Sequence, residues 1–269
     1  MLEGLDEVPW HELSHAYGSA EDVPGLLREL QNERSHETAL WHLFGNIWHQ
    51  NTVYEATAYA VPFLIELAAD AETPDRPGIL SLLSCIAGGA SYLAVHGNLF
   101  NSSEFERQLE QEQQWVVNAH EAVAAGLDQL IAMTEDGGDI SLAVAHLLAQ
   151  FPERAETTGP VIHGLLDNET DSMGRAGLLQ LLASLRDRSE ATVKVLASAL
   201  QSDDIPQRRA AAVLAATLRL DPALPGTEDA IQEAVDAEDV EDVLSGLPWD
   251  VGAEIDFDDL IDALDSQAE

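Results

Sequence analysis

The sequence predicts an all-α protein, a right-handed α-solenoid of about five helix pairs with one helical insertion and a C-terminal helical cap. Three observations support this prediction. Leucine- and alanine-rich stretches of about 12 to 16 residues recur along the chain and are broken by Pro, Gly and Asp. The sequence lacks alternating Val, Ile and Thr runs bounded by Asn-Gly or Asp-Gly turns, which would predict hairpins. Two helix types also repeat with a common period.

The common period emerges when the chain is aligned with itself. The first helix type repeats at steps of 38, 66, 32 and 32 residues, and its anchors are Pro24, Pro62, Asp128, Pro160 and Thr192. The second type was aligned independently and repeats at steps of 40, 64, 34 and 32 residues, with anchors at Leu43, Leu83, Leu147, Leu181 and Val213. Because both series contain one oversized step, they favour helix pairs of 32 to 40 residues with an insertion in the second or third pair.

The domain boundaries follow from this alignment. We expect one domain over residues 1–269, with an N-terminal cap at 1–22, the insertion at 88–123 and an acidic C-terminal cap at 225–269. The insertion begins as a Gly-Gly loop and continues as a polar helix from Ser103 to Gln114. Apolar residues at helical spacing favour a folded cap over a disordered acidic tail. They are Ile231, Val235, Val243, Leu244 and Leu247, and then Phe257, Leu260, Ile261 and Leu264.

The charge of the chain is strongly acidic. There are 49 carboxylates and 12 Lys and Arg residues, and the net charge is −37. Such a surface repels phosphate, so we expect no direct nucleic-acid binding. Two interpretations of the acidity stay open: adaptation to a very salty (halophilic) cytoplasm, or electrostatic steering of a basic partner protein.

Other features of the composition favour a cytoplasmic protein. No apolar run approaches the roughly 20 residues that span a bilayer, so we expect no membrane association. The acidic N-terminus lacks the positive region of a secretory signal. The single cysteine, Cys85, cannot form an intrachain disulfide. No cofactor is expected.

Several stretches of the chain carry a resemblance to known proteins. They are Trp10 with His15 to Gly18 and Asp22 to Pro24, Gly45 to Leu64, Glu121 to Gly126, and Leu247 to Trp249. Together they resemble an uncharacterised bacterial family of HEAT-repeat-domain proteins, and Gly45 to Leu64 is the most specific stretch. The resemblance implies an ARM-type α-solenoid, so the helix pairs are expected to be HEAT-like. It brings no catalytic residues to this chain and leaves function open, although some such proteins look like immunity or interaction proteins.

One motif suggests metal chemistry. His11-Glu12-x-x-His15 matches the zincin signature, in which two histidines one helical turn apart bind Zn²⁺, and Glu21 falls where a third ligand is found in some of these enzymes. Zincins place this helix after a β-sheet, but only ten residues precede His11, and Gly18 limits the helix to about two turns. We therefore expect a short N-terminal helix and no metal site, with His11, His15 and Glu21 as adventitious candidates.

A second group of residues forms a candidate binding site. His42, Asn46 and His49 are expected on one face of one helix, where they are either a ligand-facing polar strip or partners for backbone groups. Gln50, Tyr54 and Glu55 follow, with Thr52 and Thr57, as either a hydrogen-bonded turn or a binding hot spot. Trp41 and Trp48 lie seven residues apart and are expected in the core.

These observations lead to two hypotheses on function. The first is a non-catalytic protein-binding or scaffold module, whose sharpest version is an immunity-type inhibitor of a basic partner such as a nuclease toxin. The alternative is an enzyme on a helical-repeat scaffold, either lyase-like or a zinc-dependent hydrolase that uses residues 11–15.

Overall fold

The computed structural model describes residues 2–96 and 103–235. Most of these residues are helical, which confirms the predicted all-α class. The chain divides into two compact units, Met1–Leu148 and Ala149–Glu269. Repeat arrays are held together mainly by contacts between neighbouring repeats, so this division does not decide whether the chain is one domain, and that prediction stays open. Within the two described ranges, no helix is both long and apolar enough to cross a bilayer.

The first unit contains eight α-helices within its described residues. They are α1 (Val23–Glu29), α2 (His36–Asn46), α3 (Thr57–Ala69), α4 (Arg76–Ala87), α5 (Tyr92–His96), α6 (Ser103–Ala125), α7 (Leu127–Ala132) and α8 (Gly138–Leu148). Helix α1 packs against α2, and α3 packs against α4. Helix α4 also contacts α2 and α8, so leucines such as Leu43, Leu80 and Leu83 are fully buried. Burying each leucine side chain contributes roughly 1.5–3 kcal/mol.

The predicted insertion contains a longer helix than expected. The sequence predicted a polar helix ending at Gln114, whereas α6 continues to Ala125. The extension is stable because Ala119 and Val123, four residues apart, are fully buried in the contact of α6 with α3 and α4. The following Gly126 allows a close approach, since a Cβ there would lie 2.4 Å from Ile65 Cδ1. Residues 97–102 lie outside the described part of the chain.

Two small antiparallel hairpins interrupt the helical pattern. Strand β1 (Ser14–His15) pairs with β2 (Gly18–Ser19), and β3 (Trp48–His49) pairs with β4 (Thr52–Val53). In the second hairpin the turn residues Gln50 and Asn51 both have positive φ, 49° and 65°. This is the pattern of a type I′ turn, which matches the twist of the strands. The hairpins were not predicted, because two-residue strands are too short to show a period of two.

The second unit contains five α-helices within its described residues. They are α9 (Ala155–Asn168), α10 (Ser172–Ser184), α11 (Glu190–Ala199), α12 (Ile205–Leu218) and α13 (Thr227–Val235). Helix α10 packs against α9 and α12, and α12 also contacts α11 and α13. Asp171, Ser189 and Asp204 cap the N-termini of α10, α11 and α12 by accepting backbone N–H bonds. Each such cap stabilises its helix by about 1 kcal/mol.

The predicted C-terminal cap is described only in its first part. Helix α13 lies within it, and Ile231 is buried as its apolar spacing predicted. The other predicted residues of this cap, from Val243 to Leu264, lie outside the described residues.

Candidate functional site

His15 anchors the first hairpin to the end of α2. Its Nδ1 accepts the Tyr17 backbone N–H at 3.0 Å, so the ring carries a proton on Nε2 and donates it to Asp22 Oδ1 at 2.9 Å. The other carboxylate oxygen of Asp22 accepts a bond from Asn46 Nδ2 at 2.6 Å. The Ala16 N–H donates to the carbonyl of Asn46 at 3.0 Å. The hairpin is therefore joined to α2 directly by the Ala16–Asn46 bond and indirectly through Asp22, which bonds both His15 and Asn46.

The predicted N-terminal helix is wrong. Residues Trp10–Glu12 form a single 3-10 turn, after which Leu13 is extended and His15 lies in β1. The Ser14 backbone and hydroxyl both donate to Glu55, which favours the extended conformation over a second helical turn. His11 and His15 are thus not one helical turn apart, and the zincin arrangement is not formed. Among residues 2–96 and 103–235, no three His, Cys, Asp or Glu side chains are grouped to hold a metal ion, and Glu21 is exposed.

Aromatic side chains project into solvent around this anchor. Tyr17 is 71% exposed and Trp41 is 72% exposed. The Tyr17 ring meets the His49 ring edge-on, with 5.6 Å between centroids, and the Trp41 ring meets His42 at 5.0 Å. Tyr17, Trp41, His42 and His49 are called the aromatic face below. It consists of two ring pairs, in which Tyr17, Trp41 and His42 are exposed and His49 is half-buried.

Gly45 connects the two parts of the aromatic face. It lies one helical turn after Trp41 on α2, and residues four apart in a helix are about 5–6 Å apart on one face. A Cβ on Gly45 would lie 4.0 Å from Tyr17 Cε2, so the tyrosine ring lies over the glycine. The Tyr17 ring therefore lies beside α2 about one helical turn after Trp41.

The predicted core position of Trp41 is wrong. The buried residues of α2 are Ala39, Leu40, Leu43 and Asn46, and position 41 falls on the opposite side of the helix. Trp48 lies in β3 because α2 ends at Asn46, so the seven-residue spacing does not place the two indoles on one face. Trp48 is half-buried instead, and its ring stands perpendicular to Phe44 at 5.9 Å.

The other predicted binding residues have different environments. His42 is exposed, whereas Asn46 is buried, and His49 lies in the hairpin and not in the predicted helix. Gln50 is exposed at the tip of the turn. Hence the structure places His42 and His49 on the aromatic face and gives Asn46 the role of supporting it through Asp22.

The residues that follow the hairpin form a hydrogen-bonded turn. The Thr52 hydroxyl donates to the His49 carbonyl at 2.6 Å and lies 2.8 Å from the Tyr54 hydroxyl. The Tyr54 N–H donates to Thr57 Oγ1 at 2.8 Å, and Glu55 accepts the two bonds from the first hairpin. Of the two interpretations of this cluster, the contacts favour the hydrogen-bonded turn, in which Tyr54 and Glu55 have structural partners.

The part of the chain that carries the aromatic face is rich in carboxylates. Residues 1–60 contain ten Asp and Glu but two Arg, and Arg28 is already paired with Asp6. Glu37 is exposed one turn before Trp41 on α2. Burial raises the pKa of Tyr54, a hydrogen bond from Thr52 opposes this, and the nearby Tyr92, Glu112 and Tyr17 raise the pKa further. The part of the chain that carries the aromatic face therefore has a net negative charge.

A polar cluster in the second unit resembles a catalytic group by composition only. Asp187 accepts bonds from the hydroxyls of Thr192 and Ser189 and lies 3.4 Å from His163 Nε2. The same His163 Nε2 is 2.8 Å from Thr192 Oγ1. In a catalytic relay the acid bonds one ring nitrogen of the histidine and the hydroxyl bonds the other. Here Asp187 and Thr192 both lie near the same nitrogen, His163 Nε2. The cluster ties α9 to the loop before α11.

The second unit also holds a cavity of about 310 Å³ between α11, α12 and α13. Its wall is mostly aliphatic, with Leu196, Leu224 and Ile231 among the lining residues, and Arg219 and Asp221 also border it. Apart from Arg219, Asp221 and Thr227, the lining residues of the cavity have aliphatic side chains, so we do not take it as the candidate site.

Two residues of the aromatic face, Tyr17 and Trp41, were not predicted as binding residues. A helical-wheel comparison with Leu40 and Leu43 would have placed Trp41 off the buried face. The sequence contains no comparable pattern for Tyr17, because its exposure depends on the first hairpin, which was not predicted. Comparison with protein-family models, with curated proteins and with solved structures finds no match to this chain.

Proposed function

We propose that this protein is a non-catalytic protein-binding module that recognises a basic partner protein through the aromatic face. The observation that carries the proposal is the exposure of two large aromatic side chains on the surface that carries α2, Trp41 at 72% and Tyr17 at 71%. Tryptophan and tyrosine are enriched among the residues that dominate binding energy at protein interfaces. Each can bury about 150–250 Å² of surface, so covering both by a partner gives a substantial favourable term.

The support beneath the aromatic face favours a binding role. Tyr17 projects from a two-residue turn whose backbone is bonded to His15 and Asn46. Ordering a side chain or loop at an interface costs free energy, and a surface ordered before binding avoids part of that cost. The bonds of the turn therefore hold the backbone of Tyr17 in place before a partner binds.

The charge supports a basic partner. With a net charge of −37 overall and an excess of carboxylates in residues 1–60, the protein would attract a positively charged protein at long range and repel a phosphate backbone. An immunity-type inhibitor of a basic toxin is the sharpest version of this proposal. Salt adaptation is the competing explanation of the acidity, and it predicts binding that is insensitive to salt.

We propose that the scaffold is a right-handed solenoid of about five HEAT-like helix pairs, with α5 and α6 as the insertion and α13 in the C-terminal cap. Consecutive helices pack in pairs, α1 with α2, α3 with α4, α9 with α10 and α11 with α12. The second helices also contact one another, α2 with α4, α4 with α8 and α10 with α12. Stacking of amphipathic pairs in this way buries apolar faces that a single pair leaves exposed.

An enzyme on the same scaffold is the alternative. Its zinc-dependent version requires His15 to release the bond to Asp22 or the bond from Tyr17, because each ring nitrogen is already engaged. The observations on the aromatic face favour binding over this alternative.

Capture of a partner tests the proposal. Full-length protein immobilised through a tag is exposed to native lysate of the source organism at low and high salt. We expect a basic protein to be retained by the wild type and by Ile205→Ala, an exposed apolar control in the second unit, and to be lost with Trp41→Ala/Tyr17→Ala. Equal capture by the double variant would contradict the proposed face.

A further inference from the structure

We infer that the aromatic face recognises an arginine side chain of its partner, with the guanidinium lying over the Trp41 indole and facing the neighbouring carboxylates. The inference rests on the proposed function, because it names the group that the partner presents to that same surface.

The arrangement of charge and rings on α2 supports arginine. Glu37, Trp41 and Gly45 follow one another at four-residue intervals, so a carboxylate, an indole and the Tyr17 ring above Gly45 line one side of the helix. Glu37 and Trp41 are both exposed. A cation placed over the indole would therefore lie between a negative charge and a second aromatic ring.

The electrostatics of the surroundings favour a cation. Asp22 reaches the same hairpin with a carboxylate whose side chain is 50% exposed, although its oxygens accept bonds from His15 and Asn46. Neutral donors leave its negative charge uncompensated. Arg28, by contrast, is neutralised by a two-bond contact with Asp6. Within residues 1–60 ten carboxylates exceed the two arginines, Arg28 and Arg34, so this part of the chain has a net negative charge that attracts cations.

The chemistry of the rings favours arginine over lysine. Tryptophan is the best aromatic partner of a cation, and its face carries partial negative charge. The guanidinium is planar and weakly hydrated, so it can stack on an indole at a low desolvation cost, whereas the ammonium of lysine is compact and strongly hydrated.

Gly45 keeps the space beside the indole open. Its position has no side chain, and the nearest atom to an added Cβ is Tyr17 Cε2 at 4.0 Å. A longer side chain at position 45 would meet the Tyr17 ring and would lie one helical turn after Trp41 on α2. Glycine is a poor residue for a helix interior, and here the absence of a side chain leaves room beside the Tyr17 ring.

A titration with defined peptides tests the inference on the full-length protein. The probe is a capped peptide of alternating glycine and arginine, compared with the same peptide carrying lysine and with one carrying citrulline, a neutral isostere of arginine. Binding is followed by the ¹⁵N-labelled indole signals of the protein, and Trp41→Phe identifies the signal of Trp41. All titrations use moderate salt, which reduces non-specific attraction to the acidic surface.

We expect the arginine peptide to move the Trp41 signal and to bind about two- to fivefold more tightly than the lysine peptide. Trp41→Ala and Gly45→Leu should remove that preference, and Tyr59→Ala, an exposed tyrosine on α3, should retain it. Equal affinity for lysine or citrulline peptides, an arginine preference that survives Trp41→Ala, or no movement of the Trp41 signal would each overturn the inference. A partner protein that binds through Trp41 and Tyr17 but has no arginine in its binding segment would overturn the inference and leave the proposed function intact.

Discussion

Asp22 Oδ1 lies 2.9 Å from His15 Nε2, and this contact fixes the position of Tyr17, a residue that Asp22 does not bond. The link runs through the His15 ring, whose other nitrogen accepts the Tyr17 N–H. Asp22 also holds Asn46 at the end of α2. A single carboxylate therefore bridges the hairpin and α2, next to the direct bond from the Ala16 N–H to the Asn46 carbonyl.

Removal of this carboxylate should loosen the hairpin. We expect Asp22→Ala to lower the free energy of unfolding by about 1–3 kcal/mol, because His15 and Asn46 each lose a hydrogen bond to the charged carboxylate. The measurement is the urea unfolding transition. The control is Asp6→Ala, which removes an exposed contact with Arg28 and should change stability little. Equal effects of the two substitutions would argue against the anchoring role.

His146 should make the first unit sensitive to acid. Burial lowers the pKa of His146 to about 4, and its Nδ1 lies 3.0 Å from Ser84 Oγ in the core. Because the folded pKa is depressed below the ordinary value near 6.5, the stabilising contribution is complete above pH 6.5 and is lost as pH falls towards 4. Between pH 6.5 and pH 4 this should lower the free energy of unfolding by about 3 kcal/mol.

The test compares the pH dependence of unfolding in two variants. His146→Gln should flatten the decline of the urea midpoint between pH 6.5 and 4, and His11→Gln, which replaces an exposed histidine, should not. Protonation of the many carboxylates affects all variants alike, so the difference between them reports on His146. Parallel curves would contradict the prediction.

Asp187 should stabilise the loop before α11 through the hydrogen bonds that it accepts from Ser189 and Thr192. Burial alone would raise the pKa of Asp187, but hydrogen bonds from Thr192 and Ser189 outweigh burial and lower it. A depressed carboxyl pKa gives stability that is present above the ordinary value near 3.9 and is lost as pH falls through the folded pKa. Thr192→Val removes one donor and should cost about 1–2 kcal/mol at neutral pH. Thr170→Val, at an exposed position, is the control, and a comparable loss there would refute the explanation.

Cys85 should be unreactive in the native protein. The thiol is buried in α4, and burial raises its pKa to about 11, so little thiolate forms at neutral pH. Labelling with a thiol reagent at pH 7.5 should be slower than in denaturant by orders of magnitude. Fast labelling of the native protein would mean that α4 opens readily, which would contradict the burial of Cys85 in this helix.

The helical core could be predicted from the sequence because apolar periodicity reports burial directly. All five anchors of the second helix type are buried, from Leu43 to Val213. The length of α6 was underestimated because its last two turns are held by Ala119 and Val123, whose four-residue spacing lies past the polar part of the helix.

The aromatic face was less predictable for physical reasons. His49 was assigned to a helix because the turn at Gln50 and Asn51 depends on backbone φ and lacks the usual Asn-Gly signal. Tyr17 contacts His49, a residue far away in sequence, so no local pattern reveals the pair. His42 and His49 were predicted as binding residues and lie on this face, while Tyr54 and Glu55 are used in the turn.

The affinity of a captured partner for the aromatic face tests the central claim most directly. Calorimetry with purified full-length protein and partner should give a Kd that rises about 30-fold or more for Trp41→Ala/Tyr17→Ala, as for other interface hot spots, with Ile205→Ala unchanged. A double variant that binds the partner with the wild-type Kd would contradict the claim that these two exposed rings are the binding surface.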